Sequence, residues 1–238
     1  MCGRFALALG PRQFRLRFGC PPPPGWRPRW NVTPDAEIVI VHAPAPGLRE
    51  AAWARWGLVR PGGHGRGRGA LVINARIETV AGRPLFRRAL ARDRVLVPAS
   101  GFYEWQKAPR GPARPFFVRR RDGLPLALAA VRSERRLPDG RTVAAVAILT
   151  REAVAGLRSV HPRMPVPVPP ECWETWLDPD RTGGDALAAA LVPPVEAELE
   201  WYEVSRRVND PREDDADLVR PCAEGTPAWD DLPLFGGR

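Results

Sequence analysis

Lysine is almost missing from this chain of 238 residues: Lys107 is the only one, so 35 of its 36 basic residues are arginine. Apart from Lys107, the only amine available for Schiff-base chemistry is therefore the one at the chain terminus. Histidine occurs three times, at His42, His64 and His161. That scatter leaves no H-E-x-x-H and no cluster fit for a catalytic metal, so neither metal nor cofactor is expected. Cys2, Cys20, Cys172 and Cys222 form no C-x-x-C pair, which argues against a zinc site and a disulfide framework and for a reducing, cytoplasmic setting. No apolar stretch approaches about 18 residues, so no membrane span is expected, and no charged leader with a cleavage site suggests secretion. A G-x-S-x-G elbow and a phosphate-binding G-x-x-x-x-G-K are both absent. The glycines of 62–69 neither follow a clear strand nor lead into a helix, and make no nucleotide site.

What is present starts at residue 2. Cys2 is followed by Gly3, Arg4 and Phe5, and aminopeptidases remove an initiator Met before a small side chain. The expected mature chain carries an α-amine, pKa roughly 8, and a thiol, pKa roughly 8.5, on adjacent carbons. An aldehyde meeting that pair forms a Schiff base at nitrogen, and the thiol closes a five-membered thiazolidine. The alternative for Cys2 is a small buried residue that merely follows the start codon. Nine Trp, eight Phe and an apolar fraction of 44% read as a globular chain long enough to bury a substantial core. The net charge of +9 suggests an anionic partner, but a GC-rich genome imposes the same Arg, Ala, Gly and Pro bias whatever the function.

Periodicity predicts strands over Cys2–Leu9, Glu37–His42, Leu48–Trp56, Arg94–Val97, Phe102–Trp105, Pro115–Arg119, Leu124–Val131, Val143–Thr150 and Leu199–Ser205. Helices are predicted at Pro11–Phe18, Arg83–Arg92, Arg151–Val160, Glu171–Leu177 and Asp185–Leu191, while Pro162–Pro170 cannot be helical. Gly57–Gly69 reads as a mobile Gly/Arg loop, and from Asn209 the chain turns acidic and loop-like. Together these predict an α+β single domain over 2–221, with a mostly antiparallel, barrel-like sheet core and flanking short helices, then a flexible tail over 222–238.

Three further segments could carry chemistry. His161 sits between Val160 and Pro162-Arg163-Met164-Pro165, where prolines fix the backbone around an imidazole and a guanidinium; a plain turn is the competing reading. Glu104 lies in Phe102-Tyr103-Glu104-Trp105. Desolvation between aromatics would raise its pKa and suit it to proton transfer, whereas a strand-edge Glu facing solvent would be inert. Asn74-Ala75-Arg76 offers an amide and a forked cation, and Arg76 could equally pair with Glu78 or Glu104.

Taken in order, Cys2-Gly3-Arg4-Phe5, Trp30-Asn31-Val32-Thr33-Pro34, Trp56-Gly57-Leu58, Asn74-Ala75-Arg76-Ile77-Glu78-Thr79, the run from Arg94 to Trp105, Ala147-Ile148-Leu149-Thr150, His161-Pro162-Arg163-Met164-Pro165 and Val204-Ser205-Arg206-Arg207-Val208-Asn209 resemble the SRAP family. These are the SOS-response-associated peptidase-like, abasic-site-processing proteins. The resemblance implies a monomer that crosslinks itself to abasic sites in single-stranded DNA, cytoplasmic and nucleoid-associated when bound. Cys2 would be the nucleophile through nitrogen and sulfur, Glu104 the proton shuttle, His161 an aid to sugar opening, and Asn74 a hydrogen-bonding clamp on the terminus. Arg4, Arg76 and Arg163 would contact phosphates, with Trp56, Phe102 and Trp105 flanking the lesion and Pro34 as one wall.

One segment departs from the family pattern: where bulky residues commonly wedge beside the lesion, this chain has Arg60-Pro61-Gly62-Gly63-His64-Gly65-Arg66-Gly67-Arg68. In the tail, Leu232, Leu234 and Phe235 resemble the short peptide that bacterial repair proteins insert into the replication sliding clamp, with Asp231 where a Gln is usual. Two rival functions stand beside this one, the first of them using the same Cys2, Glu104 and His161. One is an N-terminal-nucleophile cysteine peptidase that processes Met1 or other proteins; the other is a single-strand-binding module without chemistry.

Overall fold

Apolar runs at 38–41, 95–99, 126–131 and 145–149 are buried at every residue. A strand with one dry face alternates apolar and polar residues; unbroken runs such as these belong to strands covered on both faces. The computed structural model describes residues 2–59, 70–137, 139–181, 183–190 and 196–222. Its strands are β1 (Phe5–Leu7), β2 (Arg29–Val32), β3 (Glu37–Ala45), β4 (Leu48–Trp56), β5 (Leu58–Val59), β6 (Leu71–Val72), β7 (Asn74–Arg76), β8 (Arg94–Ala99), β9 (Gly101–Gln106), β10 (Arg114–Arg120), β11 (Leu126–Arg136), β12 (Thr142–Glu152), β13 (Arg163–Pro165) and β14 (Leu199–Glu203). The α-helices are α1 (Pro11–Phe18), α2 (Pro84–Arg92), α3 (Trp173–Leu177) and α4 (Gly183–Ala190).

Five of the long strands close a barrel in the order β8–β3–β4–β12–β11, with β11 returning to β8. Every pairing in that ring is antiparallel except β4 with β12. A second antiparallel sheet runs β14–β10–β9–β1–β2. Helix α2 packs on β11 and β8, α3 on β8. The α+β, mostly antiparallel barrel expected from sequence is the fold observed. No helix among the described residues is long and apolar enough to cross a membrane.

Strand β12 draws distant segments of the chain together. Along one edge it pairs first with β4 and then with β7; along the other, first with β11 and then with β13. Residues far apart in sequence therefore meet at its C-terminal end, where Thr150 faces both Arg76 and Pro165. The turn into that region needs glycine: Gly57 has φ of +130°, and a Cβ there would lie 2.5 Å from Leu71.

Arg94 shows how the helices are anchored. It is 2% exposed and donates to the carbonyls of Leu90 and Ala91 at 2.8 and 2.7 Å and of Trp176 at 2.7 Å, and also to Asp178. One guanidinium thus satisfies carbonyls at the C-terminal ends of α2 and α3 that the helices leave unpaired.

Three expectations need correction. The first strand is shorter than Cys2–Leu9, covering Phe5–Leu7. The segment after Thr150 is not an α-helix: β12 continues to Glu152 because Arg151 and Glu152 pair with Met164 and Arg163, and only a 3₁₀ turn at Gly156–Ser159 follows. The acidic stretch after Asn209 is not loop throughout: it carries a 3₁₀ turn at Ala216–Val219 and a bridge from Val204 to Pro221.

Candidate active site

Alternation along β9 buries a carboxylate. Phe102 belongs to the main core, Tyr103 to a smaller cluster with Ala6, Phe117 and Val208 on the opposite face, so Glu104 returns to the Phe102 side. It is 2% exposed. Strand β1 lies antiparallel beside β9 with Phe5 opposite Phe102, and the Tyr103 amide donates to the Arg4 carbonyl at 2.9 Å. Continuing that register sets the residues just before Arg4 alongside Glu104, and Cys2 is fully buried there.

Asn74 and His161 arrive from the two edges of β12. The Asn74 Nδ2 donates to the Cys2 carbonyl at 2.8 Å, while its Oδ1 is buried with no hydrogen-bond partner among the described residues. His161 Nδ1 lies 3.7 Å from Glu104 Oε2. The same nitrogen sits 2.9 Å from the Arg163 carbonyl and 3.1 Å from the Arg163 amide. Protonated, it donates to the carbonyl; deprotonated, it accepts from the amide, so the ring keeps its place in either state.

The environment shifts all three ionisable groups. Burial pushes the Glu104 carboxyl up to about 7, so near neutral pH it can both give and take a proton. Burial, and then the charge of Glu104, pushes the Cys2 thiol well above its ordinary value. Burial lowers the His161 pKa, partly opposed by the Arg163 carbonyl. A nucleophile held as its neutral thiol beside a carboxyl that titrates near neutrality can do coupled addition and proton transfer. Among the described residues, no three His, Cys, Asp or Glu side chains are grouped to hold a metal.

Of the sequence-predicted residues, Cys2, Asn74, Glu104 and His161 are brought together. Arg163 and Arg76 lie beside them on β13 and β7, and Trp105 and Pro34 are partly exposed. Trp56 and Phe102 are corrected: both are fully buried. Trp56 packs edge-on against Phe5 at 5.2 Å and donates to the Ile73 carbonyl at 3.0 Å, so neither ring offers a face to a base. Arg4 is committed internally, donating from Nη1 to Asn31 Oδ1 at 2.8 Å and to the Val208 carbonyl at 2.7 Å, with its guanidinium 5.9 Å from the Trp105 ring centre. His64, Arg66 and Arg68 of the Gly/Arg loop, and Leu232, Leu234 and Phe235 of the tail, lie outside the described residues.

Asn31 was the residue whose role sequence reasoning missed. It is fully buried, and its Nδ2 donates to the carbonyls of Val208, Asp210 and Glu213 at 3.3, 3.0 and 2.7 Å. Asp214 answers by accepting from the Trp30 and Asn31 amides at 2.6 and 2.9 Å. These bonds strap residues 206–215 onto β2 and, through Arg4, onto the segment that carries Cys2. The available signal was an amide inside the apolar triplet Trp30-Asn31-Val32.

Residues 1–211 match the family model SRAP, SOS response associated peptidase. The chain is 30% identical over 222 residues to the abasic site processing protein YoaM of Bacillus subtilis, covering 92% of this chain and 97% of that one. It is 30% identical over 230 residues to the abasic site processing protein YedK of Escherichia coli, covering 93% and 100%. Among solved structures, a protein from Bordetella bronchiseptica superposes with a TM-score of 0.72 at 25% identity, covering 86% of this chain and 100% of that one. The chain belongs to the SOS response associated peptidase (SRAP) family.

Proposed function

We propose that this protein binds single-stranded DNA at abasic sites and captures them covalently through Cys2, shielding the lesion. The observation that carries the reading is the convergence on residue 2: Asn74 holds its carbonyl at 2.8 Å, and a buried carboxyl titrating near neutrality lies beside it. The relatives' names, abasic site processing protein, supply the substrate. An abasic sugar in its ring-opened form presents an aldehyde, the electrophile that a 1,2-aminothiol takes up.

With Met1 removed, the Cys2 amine attacks the aldehyde carbon and forms a carbinolamine. Glu104, as the acid, protonates the departing hydroxyl, and one water leaves to give the protonated imine and a Glu104 carboxylate. The Cys2 sulfur then adds to the imine carbon while Glu104 takes up the thiol proton, which closes the neutral thiazolidine and restores the acid. Aldehyde and aminothiol thus become thiazolidine and water, with no oxidant or cofactor. Holding the terminus still is what Asn74 contributes, since fixed reactants gain a large effective molarity. His161 assists the opening of the sugar, its place secured by Arg163.

The test is incubation of the mature protein with an abasic single-stranded oligonucleotide, then a denaturing gel. A shifted, heat-stable band that Cys2→Ala abolishes supports the reading. A pure single-strand binder would give no band with either protein; a peptidase would give none and would cleave an added polypeptide.

A further inference from the structure

The segment that delivers His161 is tied down from several sides. On its C-terminal side the Ala153 amide donates to the Pro162 carbonyl at 3.0 Å, and Arg163 pairs with Glu152 on β12. At its start the Gly156 amide donates to Glu196 Oε1 at 3.0 Å. A Cβ on Gly156 would lie 2.6 Å from that oxygen and 2.9 Å from the Trp201 ring, so the turn is seated closely. A further tie comes from β9: Gln106 Nε2 donates to the Ser159 carbonyl at 2.9 Å, two residues before His161.

Gln106 shares its strand with the buried carboxyl. Alternation puts Glu104 and Gln106 on one face of β9, about 7 Å apart. The amide has a defined orientation. Arg114 of β10 stands directly opposite Gln106 and donates from Nη1 to its Oε1 at 3.4 Å. A guanidinium can only donate, so the amide oxygen faces Arg114 and the NH₂ group faces the carbonyl. Arg114 is itself held by Glu203 of β14, with Nε to Oε2 at 3.0 Å and Nη2 to the same oxygen. The chain Glu203–Arg114–Gln106–Ser159 thus crosses three strands and ends two residues from the imidazole.

The turn passes this hold on to His161. Ser159 Oγ donates to the Gly156 carbonyl at 2.9 Å, and the Val160 and His161 amides both donate to the Leu157 carbonyl, at 2.9 and 3.0 Å. Residues 156–161 are therefore bonded into one unit, and a displaced Ser159 carbonyl carries His161 with it. His161 Nδ1 lies 3.7 Å from Glu104 Oε2, a few tenths of an ångström beyond a hydrogen bond. A small shift of the turn decides whether the two meet. Arg163 fixes how the ring is turned; Gln106 fixes how far it stands from the carboxyl.

We infer that Gln106 is a positioning residue that sets His161 against Glu104 and so governs the sugar-opening step. The inference rests on the proposed function above, in which His161 assists that opening. What it adds is Gln106, with Arg114 behind it, acting through His161 and not on the reacting atoms.

The test is single-turnover crosslinking at saturating DNA with two probes. One is an abasic single strand, whose sugar must open before it reacts. The other is the same strand carrying an acyclic alkyl aldehyde at that position, which needs no opening. Gln106→Met, similar in size but without the N–H, should react with the abasic strand about three- to tenfold more slowly and with the acyclic aldehyde at the parental rate. Gln106→Glu, which keeps a partner for Arg114 and also lacks the N–H, should show the same split, and it carries the test should Gln106→Met fold poorly. Adding Gln106→Met to His161→Ala should cost nothing further. Equal slowing on both probes would make Gln106 a support for the fold alone, and parental rates on both would remove it from the site; either result overturns the inference. A parent that crosslinks neither probe would sink the proposed function and the inference together, whereas a parent that crosslinks both, with variants that match it, sinks the inference alone.

Discussion

Replacing Glu104 with glutamine should make the protein more stable, and increasingly so as pH rises. The buried carboxyl has its pKa raised from 4.5 to about 7, so the folded state holds the proton more tightly than the unfolded chain does. Below pH 4.5 both states are protonated and burial carries no ionisation penalty; as pH rises through about 7 the folded state must ionise in a dry site. At about 1.4 kcal/mol per pH unit between the two pKa values, the full penalty is roughly 3 kcal/mol. Glutamine never ionises. The gain from Glu104→Gln should therefore be under about 1 kcal/mol at pH 5 and about 3 kcal/mol at pH 8, or about 6–12 °C in Tm at the higher pH for a chain of this length. Urea unfolding followed by tryptophan fluorescence at several pH values reads this directly. A difference between variant and parent that stays flat from pH 5 to pH 8 would refute the burial argument. The same substitution should slow crosslinking by about 10²–10⁴-fold, the usual size of a lost acid–base group.

Three further outcomes follow from the geometry. Asn74→Ala should slow crosslinking at saturating DNA by about ten- to a hundredfold through a loosened terminus, with affinity for an undamaged strand almost unchanged; single-turnover gels and anisotropy separate the two, and an unaltered rate would remove Asn74 from the site. Arg94→Met, which strands several buried carbonyls, should cost at least about 3 kcal/mol in urea unfolding, and a loss under about 1 kcal/mol would contradict the capping role. Asn31→Ala should raise hydrogen exchange across residues 206–215 well above that of the barrel strands; uniform exchange would mean that the strap is held by something else.

The barrel was legible because its strands are apolar on both faces: runs such as Val95-Leu96-Val97 and Leu126-Ala127-Leu128-Ala129-Ala130-Val131 leave few alternatives. Strand β12 past Thr150 was not, because Arg151-Glu152-Ala153-Val154 has helical spacing and its strand pairing is decided by β13, a partner formed eleven or more residues later. The grouping of Cys2, Asn74, Glu104 and His161 was expected from the family resemblance, but the means of assembly was not readable. It depends on β12 carrying β7 on one edge and β13 on the other, a tertiary fact. Trp56 and Phe102 illustrate the converse. An aromatic beside a reactive residue looks the same in sequence whether it stacks on a base or fills the core, and only burial decides. The Asn31 strap was hidden because its acceptors are backbone carbonyls, which leave no side-chain signature.

In the proposed reaction both the nitrogen and the sulfur of Cys2 end up bonded to the abasic carbon, and mass spectrometry of the crosslinked chain after alkylation reads out both bonds. The modification should map to the N-terminal peptide, with the mass of protein plus DNA less one water. Iodoacetamide should label Cys20, Cys172 and Cys222 of the unfolded adduct but not Cys2. An adduct that maps to Lys107, or one in which Cys2 still takes up iodoacetamide, would rule out capture through the terminal aminothiol.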